Sequence, residues 1–153
     1  MTEETYDPTG IVFILRGLPG VGKTELALLL QSKFSDPERG AVILSSDDFF
    51  VNRETLEYIF DMTKVDAAHK WNFKNFKTAI EKKIKTIIID NSNIKSFHYS
   101  HYVDYAQRHN YRVVVALLPH NDASDKELSL RTPHGINRNT IRRMRKDFEW
   151  ELK

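Results

Sequence analysis

The chain has 153 residues, 41% of them hydrophobic and 29% charged, which suits one globular domain with a sizeable core and excludes a disordered composition. It contains no cysteine, so disulfides, thiolate catalysis and cysteine-based zinc sites are excluded, and a net charge of +2 announces no global field for nucleic acid. No apolar run approaches about 18 residues and the acidic, polar Met1 to Asp7 stretch does not read as a signal peptide, so the expected setting is intracellular, cytoplasmic or nuclear, with no membrane.

Residues 1–10 read as a short tail. Ile11 to Leu15 form an unbroken apolar run rich in β-branched residues, as in a strand buried on both faces of a parallel sheet. Gly17, Gly20, Gly22, Lys23 and Thr24 follow at the spacing G-x-x-x-x-G-K-S/T. Glycines at those places let successive backbone N–H groups converge on nucleotide phosphates, and the start of a helix adds partial positive charge. Lys23 can reach the β- and γ-phosphates, and the Thr24 hydroxyl can ligate Mg²⁺. The expected nucleotide-binding segment is therefore Gly17, Leu18, Pro19, Gly20, Val21, Gly22, Lys23, Thr24 and Glu25. The bland alternative is a glycine-rich turn between strand and helix. The helix that follows is expected to bury Leu26, Ala27, Leu29, Leu30 and Phe34 on one face.

Ser35 to Gly40 reads as a turn, and Ala41 to Leu44 as a second short buried strand ending at Ser45 to Phe50. Residues 51–65 carry no clear period, and Thr55 to Phe60 fits either a helix or a loop. A helix is expected from about Asp66 to Lys85, because Ala68, Trp71, Phe76, Ala79, Ile80 and Ile84 recur at helical spacing. Thr86 to Asp90 is the third strand. Ser96 is the expected N-cap of the next helix, whose apolar side carries Tyr99, Tyr102, Val103 and Ala106, and Asn110 can close it in the left-handed conformation. Arg112 to Leu118 is the fourth strand, stopped by Pro119. A polar stretch, His120 to His134, holds one or two helical turns over Glu127 to Arg131. Asn137 is expected to cap a final helix carrying Ile141, Met144, Phe148 and Leu152 inward. The alternation of strands and helices implies an α/β layered domain with a mainly parallel sheet. For a P-loop fold, a three-layer sandwich with strand order 2-3-1-4 is expected.

In an open parallel sheet, ligands bind at the carboxyl ends of the strands. Three polar clusters fall there: the glycine-rich loop, Ser45 to Asp48, and Asp90 to Asn93. Asp47 and Asp48 are the only paired carboxylates directly after a core strand, so one can accept a proton from an attacking hydroxyl and one can help hold Mg²⁺ through water. A helix cap is the competing role, and Asp48 is balanced between the two. Asp90 closes an isoleucine run as a Mg²⁺-side acid would, or it only satisfies turn donors. Asn91 and Asn93 offer amides to a substrate or shape the loop as Asx turns. Arg131 can close over a γ-phosphate or be a surface arginine; His69 can contact an acceptor or be structural. The basic clusters Lys82, Lys83, Lys85 and Arg138, Arg142, Arg143, Arg145, Lys146 are either solvated faces or phosphate-tracking patches.

Five blocks together, RGLPGVGKT (16–24), SSDDFF (45–50), AHKWN (68–72), IIIDNSNI (87–94) and RTPHGI (131–136), resemble the P-loop kinase-like domain of the NEDD4-binding protein 2 and 2-like group. That group is similar to the kinase domain of phage polynucleotide kinase and, more distantly, to the amino-terminal domain of cyclic nucleotide phosphodiesterase. The resemblance covers about residues 11–150 and implies an ATP- and Mg²⁺-dependent kinase domain over 11–153 acting on the 5′-hydroxyl of a nucleic acid, with a single-stranded 5′ end as partner. It implies that Lys23 and Thr24 serve ATP and Mg²⁺, that Asp47 is the general base, and that Arg131 is carried by a lid at about residues 120–135. It places Asn91 and Asn93 where the acceptor strand enters. The chain departs from the group's usual pattern at Leu130, where a second arginine is common, at Thr132-Pro133 and at Lys70. Two other expectations stand beside this one: a nucleotide-binding interaction module without turnover, and a kinase of small hydroxyl compounds.

Overall fold

The computed structural model describes residues 6–120 and 122–150. Four strands, β1 (Gly10–Arg16), β2 (Ala41–Leu44), β3 (Thr86–Asp90) and β4 (Tyr111–Leu117), form one sheet in the order β2-β3-β1-β4. Every neighbouring pair is parallel, with Ile11 opposite Thr86 and Arg112, and Ala41 also opposite Thr86. This is the 2-3-1-4 order expected for the fold. Among the described residues five α-helices complete it: α1 (Lys23–Lys33), α2 (Val65–Glu81), α3 (Ser100–Arg108), α4 (Asp125–Arg131) and α5 (Arg138–Asp147).

The period-2 alternation of β1 decides the layers. Val12 and Ile14 point to one face, where Phe76, Ala79 and Ile80 of α2 and Tyr102 and Ala106 of α3 cover them. Phe13 and Leu15 point to the other, against Ala27 and Leu30 of α1. β1 and β3 are central and need apolar side chains on both faces; β2 lies at an edge, so its four residues are half-buried rather than buried as expected. A third cluster forms beyond the carboxyl end of the sheet, where Leu18, Leu128 of α4, Ile141 of α5, Ile94 and Phe148 pack together. It is this cluster that folds α4 and α5 over the strand ends.

Several local expectations need correction. Leu29 is 50% exposed and Phe34 47% exposed, because the buried row of α1 runs through Lys23, Ala27 and Leu30, and Leu29 is turned about 100° from Leu30. Phe34 nevertheless rests its ring on Phe13, with centroids 5.2 Å apart. Of the two readings of residues 55–60, helix or loop, the structure has the loop: the Asn52 side chain accepts from the N–H groups of Glu54 and Thr55, and Val51 and Tyr58 form an isolated antiparallel bridge. α2 stops at Glu81, four residues early, because Lys83 turns left-handed (φ 56°) and the Ile84 and Lys83 N–H groups bond back to Ala79 and Ile80. Ser96 does not cap α3: it opens a 3₁₀ turn, Ser96–His98, and its N–H donates to Glu149 Oε2 at 3.2 Å. Asn110 does turn left-handed (φ 63°), and Asn137 caps α5 by accepting from Asn139 N–H at 2.7 Å. Leu152, expected on the inward face of that helix, lies outside the described residues. Among the described residues no helix is long and apolar enough to cross a membrane.

Candidate active site

The carboxyl ends of β1, β2 and β3 open onto one cleft of about 770 Å³. The loop between β1 and α1 forms its floor. Gly20 (φ 85°) and Gly22 (φ 108°) take conformations that disfavour side chains, and a Cβ on Gly20 would stand 2.4 Å from the Leu128 carbonyl. Only glycine lets α4 lie this close to the loop. Lys23, at the first turn of α1, folds back so that its Nζ donates to the carbonyls of Gly17 and Leu18, both at 2.9 Å. Burial pushes its ammonium down to about 8, against the pull of the Asp90, Asp47 and Glu25 charges. Leu18 itself is fully buried under the loop, and Gly17 N–H donates to Ser92 O at 3.0 Å.

Thr24 Oγ1 donates to Asp90 Oδ2 at 3.0 Å, which joins α1 to the end of β3. Burial holds the Asp90 carboxyl above its usual range, while the Thr24 hydroxyl and the Lys23 charge pull it down. The pair fits Mg²⁺, which takes one or two protein oxygens and completes its shell with phosphate and water.

Asp47 and Asp48 lie in a 3₁₀ turn, Ser46–Phe50, whose start is held by Ser45 Oγ accepting from Asp47 N–H at 3.3 Å. Asn91 Oδ1 accepts from Ser46 N–H at 2.9 Å, so this amide anchors the carboxylate turn to the end of β3. Burial and the charges of Asp47 and Asp90 hold the Asp48 carboxyl above its usual range. Arg131, in the last turn of α4, is exposed and lines the cleft from the opposite wall; its only ion pair among the described residues is a loose one to Glu127 at 3.9 Å.

The cleft thus brings together Pro19 to Glu25, Asp47, Asp48, Asp90, Asn91 and Arg131. Two expected substrate residues lie off it. Asn93 is 4% exposed, sits left-handed (φ 48°), and spends its amide on Leu15 O at 2.8 Å, so it shapes the β3 turn and is not free for an acceptor. His69 stands on α2 outside the cleft, its Nδ1 3.0 Å from Ser46 Oγ, where it braces the far side of the carboxylate turn. The basic C-terminal cluster is also partly occupied: Arg142 and Arg145 pair with Asp125 at 3.4 and 3.0 Å, tying α5 to the start of α4. Conversely, Thr132, Pro133, His134 and Ile136 line the cleft although no role was read for them individually. Their block was visible in the sequence; that α4 would fold back and present it to the carboxylates was not.

With this geometry in place, comparison with known proteins is decisive about kinship. Residues 11–151 match the family described as chromatin associated protein KTI12. The chain belongs to the KTI12 family. Human (Homo sapiens) NEDD4-binding protein 2 is 39% identical over 144 residues, 91% of this chain and 8% of that protein. YLP motif-containing protein 1 of Mus musculus is 27% identical over 162 residues, 93% of this chain and 11% of that protein. The chain thus spans about a tenth of the length of these relatives. Among solved structures, a chain of the Pnkp1/Rnl/Hen1 RNA repair complex superposes with a TM-score of 0.68 at 15% identity, covering 96% of this chain and 46% of that one. The APS kinase of Mycobacterium tuberculosis in complex with AMPPNP and APS superposes with a TM-score of 0.56 at 17% identity, covering 84% and 72%. This KTI12-family chain therefore has a kinase-like P-loop α/β fold, and the resemblance to NEDD4-binding protein 2 read from its motifs is real.

Proposed function

We propose that this chain is an ATP- and Mg²⁺-dependent phosphotransferase whose acceptor is the 5′-hydroxyl of a polynucleotide. The observation that carries the reading is the convergence of Lys23, the Thr24–Asp90 pair, Asp47 and Arg131 on one cleft. The chromatin-associated description of the family and the like fold within an RNA repair complex support a nucleic-acid acceptor.

Phosphoryl transfer asks the protein mainly for positioning and charge stabilisation. Lys23 exchanges the Gly17 and Leu18 carbonyls for phosphate oxygens. Thr24 and Asp90 would hold Mg²⁺, which would supply neutralisation of charge on the phosphates. Asp47 accepts the proton of the attacking hydroxyl, and Asp48 orients that hydroxyl from the same turn. Arg131, on a lid at about residues 120–135, closes over the transferring group. The test is transfer of labelled γ-phosphate from ATP to a 5′-hydroxyl oligonucleotide, with small hydroxyl compounds in parallel. Labelled oligonucleotide is the expected result. Transfer only to small compounds replaces the acceptor, and ATP binding without any transfer replaces the enzyme with a nucleotide-gated interaction module, the reading that the exposed Leu130 beside Arg131 favours.

Lys23 also makes nucleotide binding pH-dependent. Its ammonium is held down to about 8 from 10.5, so in the free chain this burial costs stability below pH 8 and the cost is released as pH rises from 8 toward 10.5. Phosphate restores the ammonium. Binding at pH 8 should therefore take up about half a proton, and affinity should fall as pH rises further. Calorimetry at pH 8 in buffers of different ionisation enthalpy should give buffer-dependent heats; identical heats would rule the linkage out.

A further inference from the structure

Five aromatic rings run in an unbroken series from α2 to the mouth of the cleft. Trp71 meets Phe49 (centroids 5.8 Å), Phe49 meets Phe50 (5.3 Å), and Phe50 meets Tyr58 (6.2 Å), each edge to face. Tyr58 then lies flat against His134, at 3.7 Å and 15°. The middle of the series is anchored, since Phe50 is 8% exposed and also meets Phe60 at 5.0 Å. The outer end is open: His134 is exposed and lines the cleft.

His134 is presented by a built loop. Thr132 Oγ1 donates to Ser129 O at 2.8 Å and accepts from Ile136 N–H at 3.0 Å, while Ser129 Oγ donates to Ile136 O at 2.6 Å. Pro133 stiffens the same turn and Gly135 (φ 64°) allows it. The column also adjoins the carboxylates. The Asp47 charge helps push the Tyr58 phenol up, and His134 acts on Asp48 from its side of the cleft. Asp47, Asp48 and His134 line the same cleft, so an acceptor whose hydroxyl meets Asp47 enters the space that His134 borders.

We infer that the Tyr58–His134 pair is a stacking platform for the base of the 5′-terminal nucleotide of a single-stranded acceptor. The inference rests on the polynucleotide reading above and names how that acceptor is held. An aromatic face backed by packed rings suits a nucleobase of any identity, because every base offers a π-face. A rigid column loses little freedom on stacking. The first acceptor nucleotide would be gripped without sequence preference, next to the reacting hydroxyl.

The test uses two 3′-labelled single-stranded 5′-hydroxyl oligonucleotides, identical except that one carries an abasic residue at its 5′ end. Their affinities are measured by fluorescence anisotropy with a non-hydrolysable ATP analogue present. The wild-type chain should bind the intact strand about 5- to 100-fold more tightly. That ratio should fall to near one in His134→Ala and persist in His134→Phe. Because the ratio is taken within each variant, a general loss of folded protein cancels. Equal binding of the two strands by the wild type would overturn the platform while leaving the polynucleotide reading intact, and so would a ratio unchanged in His134→Ala. Binding of neither strand would overturn the polynucleotide reading and the platform with it.

Discussion

Asp47→Asn should lower phosphoryl transfer to a 5′-hydroxyl oligonucleotide by about 10²- to 10⁴-fold, the range a positioned general base contributes. The substitution keeps the shape of the side chain and the Ser45-held turn but removes its capacity to accept the proton. Nucleotide binding should change far less, because in the proposed mechanism the phosphates are met by Lys23, Thr24 and the loop N–H groups rather than by Asp47. A modest effect on binding is expected from Lys23, whose ammonium the Asp47 charge helps maintain. Single-turnover transfer rates and analogue affinities, measured side by side, separate the two. Transfer reduced less than about tenfold would remove Asp47 as base and leave positioning as the dominant contribution of the turn.

Arg16→Leu should destabilise the chain by roughly 3–6 kcal/mol, a large share of the 5–15 kcal/mol that holds a typical domain together. Arg16 closes β1 and is fully buried. Its Nε donates to Asn93 O at 2.8 Å, and its Nη2 donates to Ile94 O at 3.2 Å and Glu149 O at 2.6 Å. The guanidinium lies over the Tyr99 and Phe148 rings, at 4.8 and 5.0 Å from their centroids. Burial pushes its pKa below the ordinary value, opposed by the Glu149 carboxylate. Leucine would leave the Asn93 and Glu149 carbonyls without these donors and weaken the hold of the C-terminal segment on the β3 turn, where Glu149 N–H still donates to Ile94 O at 2.8 Å. Arg16→Lys should rescue little, since a compact ammonium cannot span three acceptors in a plane. Equilibrium denaturation reads the effect directly. A loss below about 1 kcal/mol would show that water replaces the guanidinium without difficulty.

The two substitutions mark different degrees of legibility. Asp47 could be picked from the sequence because its position follows a core strand, and strand ends converge in any open parallel sheet. Arg16 could not. It was visible only as the residue before Gly17, and its three carbonyl partners lie 77 to 133 positions away along the chain. Asn93 misled for the same reason: a polar residue after a strand reads as available until the fold shows its amide spent on Leu15 O.

By itself, the sequence determined the parallel α/β order, the loop from Gly17 to Thr24 and the carboxylate turn at Asp47 and Asp48, because each rests on periodicity or spacing within about ten residues. Local conflicts of period and turn chemistry explain the misplaced boundaries, as with Lys83 turning left-handed before Ile84. Only the tertiary structure decided that α4 and α5 pack together over the strand ends, that Leu128 presses on Gly20, and that Tyr58 meets His134 beside the cleft. Those contacts join segments far apart in the chain, and what selects them is the burial of apolar faces such as Leu18, Leu128 and Ile141 together, a property of the folded whole that no local window contains.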